Sequence, residues 1–122
     1  MTRARAPSTY EREALAVLAW EFPSSNKDDS ERKIRGRLRR KKLGPYDPAR
    51  IERLRRLKDA LQAEIGRDSA SRYFGGRHGH YSEMADFDAA RMTADYAAEW
   101  PELAVEEMSG FIGYCLLNYY LR

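Results

Sequence analysis

The fourteen residues from Met108 to Leu121 carry no charge, in a chain of which 34% is Asp, Glu, Lys or Arg. The run is too short to cross a membrane, which takes about 20 apolar residues. It is also too apolar for an ordinary surface helix, so it predicts a helix packed centrally in a soluble fold. Met108, Phe111, Ile112, Cys115 and Tyr119 share one face, and Leu117, Tyr120 and Leu121 lie on others. One face cannot hide that much apolar surface, so the excess needs the other helices or a second chain, and a homodimer through the same helix is the expectation where the second chain covers it. Gly110 and Gly113 would let a second helix come close on their side.

The rest of the chain also reads as helix, with apolar residues at 3.6-residue spacing and no strand-like alternation. Ser8 and Glu11 stand at capping-box spacing. Behind them Ala14, Leu15, Leu18 and Phe22 form an inward stripe that ends at Pro23. A second helix is predicted from about Asp28 to Leu43, with Gly44 in the left-handed cap and Pro45 barring continuation. Asp47 as N-cap and Pro48 at the first position open a third, which carries Ile51, Leu54, Leu61 and Ile65 in line before Gly66. The short Gly44–Asp47 connection predicts that helices two and three form a helical hairpin or a turned pair. Residues 67–82 hold three close glycines, Gly75, Gly76 and Gly79, and read as an irregular connection. A fourth helix is predicted from about Ser82 to Trp100, and Pro101 precedes or opens the last one. Residues 1–7 read as frayed. The expectation is an all-α fold of about five helices in a single domain over 1–122, a length that supports one core without staples.

Charge is distributed unevenly. Residues 1–66 hold 17 Lys and Arg against 10 Asp and Glu, whereas residues 67–122 hold 5 against 9. The basic excess concentrates in Arg32–Lys42, where eight of eleven residues are cationic and no acid intervenes between Glu31 and Asp47. Such crowding on a helix is mildly destabilising at every i,i+3 and i,i+4 pair. A polyanion would supply the missing countercharge, and arginine suits bidentate phosphate contacts. The candidate binding residues are therefore Arg32, Lys33, Arg35, Arg37, Arg39, Arg40, Lys41 and Lys42, with Arg53 and Arg56 of helix three in support. This reads as a small accessory or regulatory protein that binds nucleic acid mainly through phosphates. The alternative is an adaptor or inhibitor that docks the same helices on an acidic or nucleic-acid-binding surface of a larger complex. A solvated basic face, or one docked on the acidic second half, also satisfies the pattern. Helices two and three depart from a helix-turn-helix. Their turn contains Gly44 and two prolines, and Gln62 is the only amide available to read bases.

Nothing in the chain forms a catalytic or cofactor motif, so an enzyme is not expected, and neither a cofactor nor a metal. A lone Cys115 makes no disulfide and suits a reducing cytoplasm. Placed between Tyr114 and Leu116, it reads as a small core residue. Arg77, His78 and His80 form a glycine-rich contact loop, but two histidines are an incomplete metal site.

Overall fold

The computed structural model describes residues 9–75 and 86–121. These comprise five α-helices, one short 3₁₀ turn and no strand: α1 (Tyr10–Leu18), α2 (Lys27–Lys41), α3 (Pro48–Gly66), α4 (Ala89–Glu99) and α5 (Val105–Leu121). The fold is all-α. The C-terminal helix α5 packs on α4, α3 and α1, and α1 packs in turn on α2 and α3. A single apolar cluster runs through the described part, from Leu15 and Leu18 through Ile51, Leu54 and Leu61 to Met92, Met108 and Ile112.

The central place of α5 follows from its composition. Met108, Phe111, Ile112, Cys115 and Leu116 are buried against the other helices, which leaves Val105, Tyr114 and Leu117 exposed. Tyr119 and Tyr120 are half-buried at the rim, with their rings edge to face. Gly110 and Gly113 face open space on the outer side of α5, where an added Cβ would meet nothing.

Local capping chemistry shapes the ends of α3 and α4. The Asp47 carboxylate accepts from the backbone N–H of Ala49 and Arg50, with Pro48 at the first position. Asp88 caps α4 by accepting from the N–H of Arg91. The fourth helix therefore starts at Ala89 rather than near Ser82. Ahead of it, Phe74 and Phe87 form an isolated antiparallel bridge, in which Gly75 N–H donates to Asp86 and Asp88 N–H donates to Tyr73. The expected Ser8 cap and the 76–85 part of the glycine-rich connection lie outside the described residues. The cap seen at α1 is Thr9, which accepts from Arg12 N–H. Thr9 also donates to Glu107, tying the first turn of α1 to that of α5.

Three further expectations are corrected. First, α1 stops at Leu18, short of Pro23, and Phe22 lies half-buried beyond the helix. The chain leaves the helix through tighter bonds, from Trp20 N–H to Val17 and from Glu21 N–H to Leu18, and the carbonyl of Ala19, which Pro23 has no N–H to satisfy, accepts from the buried Asn118 amide of α5 at 3.0 Å. Second, α2 packs chiefly on α1, so of the two expected arrangements the α2–α3 hairpin is not formed. Tyr10 holds their connection instead. Its hydroxyl donates to the carbonyl of Pro45 and accepts from Asp47 N–H at 2.8 Å. Third, the residue that leaves α2 with positive φ is Lys42, at 56°, ahead of Gly44. The N–H of Leu43 then reaches back to the carbonyl of Leu38, a Schellman closure. A lysine in the left-handed region is strained by its Cβ, at about 1 kcal/mol. Lys42→Gly is therefore expected to raise stability by about that amount, read as a higher urea midpoint at unchanged slope.

Candidate nucleic-acid interface

Helix α2 docks through Ile34 and Leu38, both fully buried, and through Ser30. Every other residue of its basic run lies around or opposite that stripe. Its ends are matched to the helix dipole, with Asp28 and Asp29 in the first turn and Arg39, Arg40 and Lys41 in the last. This arrangement lets a helix with so little apolar content persist, because the terminal charges offset part of the repulsion between neighbours.

The cations fall into two groups. Some are already paired. Arg32 meets Asp29 at 3.1 Å and Arg35 meets Glu31 at 3.3 Å, in both cases with both partners exposed on the same helix. Arg35 also lies over the Tyr46 ring. Arg37 meets Glu13 of α1 at 3.2 Å. Arg53 is committed more deeply: it bonds Glu102 at 2.9 Å, donates to the carbonyl of Glu99 and stacks over Trp100. It thus joins α3 to the α4–α5 connection, and the Glu102 carboxyl is held below its ordinary range chiefly by this hydrogen bond. The second group comprises Lys33, Arg39, Arg40, Lys41 and Lys42, all exposed on or just after α2 and without an ion pair among the described residues. Arg56 is exposed as well, on the side of α3 away from its buried row. The structure brings the α2 residues together, places Arg56 apart from them and assigns Arg53 to the scaffold. Arg77, His78 and His80 lie outside the described residues.

Two features were missed in the sequence. One is an ion cluster under the α2–α3 side. Glu21, only 2% exposed, receives a bidentate pair from Arg55, Nε to Oε1 at 2.7 Å and Nη2 to Oε2 at 3.0 Å. The buried Lys58 ammonium is 3.3 Å from Oε1. Burial alone would raise the Glu21 pKa. Hydrogen bonds from Arg55 and Ser30, with the charges of Arg55 and Lys58, override it and hold the carboxyl at about 2. The other missed feature is Trp20, 62% exposed at the turn after α1. Its signal was legible, since Trp20 falls on the opposite side of a helix from Leu18.

Cys115 is buried as expected of a small core residue. Burial pushes its thiol up to about 12, against a smaller opposing effect from Lys58. A thiol in that state is a poor nucleophile at neutral pH. Among the described residues, no group of three His, Cys, Asp or Glu side chains is placed to hold a metal, and no helix is long and apolar enough to cross a membrane. No protein-family model matches the chain, and no similar curated protein or solved structure was found.

Proposed function

We propose that the protein binds nucleic acid through phosphate contacts made by the exposed face of α2. The observation that carries this reading is the set Lys33, Arg39, Arg40, Lys41 and Lys42, five cations without an ion pair among the described residues. The pairs Arg32–Asp29 and Arg35–Glu31 add to it, because surface pairs contribute only about 0.2–1 kcal/mol. Their guanidinium groups can exchange a carboxylate for a phosphate at little cost. Base readout is not supported by the residues on this face, so binding should discriminate weakly between sequences.

The test is a titration of labelled 30-mer duplex, single strand and RNA across a range of salt. Five neutralised phosphates on duplex DNA correspond to a slope of log K against log salt of about −4.5. Replacing Arg39, Arg40 and Lys41 together by glutamine is expected to make that slope shallower by about 2.7 and to weaken all sequences alike. These three leave no buried carboxylate behind, unlike Arg37, whose loss would strand Glu13. An absence of binding to all three probes at low salt would refute the reading and favour an acidic protein surface as the partner.

A further inference from the structure

Beside the cations of α2 lies an open groove of about 570 Å³ between α1 and α2. Its lining includes Trp20 and the small residue Ala16 from the α1 side and Lys33, Gly36, Arg37 and Arg40 from α2. Asp29 is the acidic residue in its lining. Lys33, Arg37 and Arg40 recur at helical spacing on α2, so they share one face of the helix, and Arg37 is held there by Glu13. The Arg40 guanidinium lies back over Gly36, 3.5 Å from where a Cβ would stand.

The two tryptophans differ in what holds them. Trp100 is 7% exposed, donates through Nε1 to the carbonyl of Arg53 and carries the Arg53 guanidinium on its ring. Its indole is part of the scaffold. Trp20 has no aromatic or cation contact among the described residues and leaves most of its surface in water. A flat apolar ring flanked by a row of cations matches the two demands of an unpaired strand: a face on which a base stacks, and charges that follow the backbone. A duplex offers the second but keeps its base faces stacked on one another.

We infer that this groove takes single-stranded nucleic acid, with a base stacked on Trp20 and the flanking phosphates held by Lys33 and Arg40. The inference rests on the phosphate-binding reading above and adds to it a preference for unpaired strands.

Fluorescence anisotropy with a labelled 30-mer deoxythymidine strand and a 30-mer duplex, for wild type, Trp20→Ala and Trp20→Phe, tests it. Thermal unfolding checks that each variant is folded, as its exposed position leads one to expect. Wild type should bind the single strand more tightly than the duplex. Trp20→Ala should lose about tenfold or more in single-strand affinity, toward the duplex level, whereas Trp20→Phe should keep most of it. Tryptophan emission should be quenched by the single strand in wild type and not in Trp20→Phe. Equal affinity for both probes, or a Trp20→Ala variant that binds the strand as well as wild type, would overturn the stacking site and leave the phosphate reading standing. No binding to either probe by wild type would overturn both.

Discussion

Replacing Glu21 by glutamine is expected to cost about 3–5 kcal/mol of stability, a large share of the roughly 5–15 kcal/mol typical of a domain. The carboxylate neutralises Arg55 and Lys58, both buried, while their remaining acidic partners Glu52 and Asp59 are exposed. Removing its charge leaves two cations under the surface with weaker compensation. Urea unfolding of Glu21→Gln measures the loss. The triple replacement Glu21→Leu, Arg55→Met and Lys58→Met provides the contrast: it removes all three charges at once and is expected to cost less than the single change, because no desolvated charge remains. A single variant as stable as wild type would show that the cluster is not a stabilising element.

The same cluster sets an acid limit. The Glu21 carboxyl lies at about 2 in the folded chain against an ordinary value of 4.5. Its folded pKa is depressed, so its contribution is fully present above the unfolded value and is lost as pH falls from about 4.5 toward 2. The shift corresponds to about 3 kcal/mol. Unfolding free energy should therefore fall through that window in wild type and more shallowly in Glu21→Gln.

Phe111→Ala is the second large effect expected, at about 3–5 kcal/mol for an aromatic ring deleted from a packed interior. Phe111 is buried in the apolar cluster on the helix that meets α1, α3 and α4. Truncation after Met108 removes Phe111, Ile112, Cys115 and Leu116 together, and with them Asn118, which holds the end of α1. The truncated chain is expected to lose cooperative unfolding and to be insoluble. A soluble truncation with a sharp transition would show that α1 to α4 hold together without α5.

The features legible in the sequence were those governed by neighbours in the chain. Asp47 and Pro48 announce α3, because a cap bonds to backbone only two or three residues away. The uncharged run at the C-terminus implies a central helix, since most of its apolar side chains must leave water wherever the others lie. Ile34 and Leu38 mark the one stripe by which α2 can dock, and they are its fully buried pair. The charge pattern alone also puts most of the remaining basic residues of α2 on the surface.

Partners distant in the chain decided the rest. Arg39, Arg53 and Arg55 are the same residue type on neighbouring helices, yet Arg39 is exposed without an ion pair among the described residues, Arg53 clamps Glu102 and Arg55 is buried on Glu21. Spacing cannot distinguish them, because the deciding carboxylates lie 49 and 34 residues away. The carbonyl of Ala19 at the end of α1 is satisfied by Asn118, nearly the whole described chain distant. The sequence by itself determined which segments are helical and which stripes face inward, because propensity, capping and amphipathic spacing act within a turn or two. Only the tertiary structure decided which helices meet, which arginines are committed to carboxylates and which side of α2 shares a groove with Trp20, because each depends on groups brought within a few ångströms by packing.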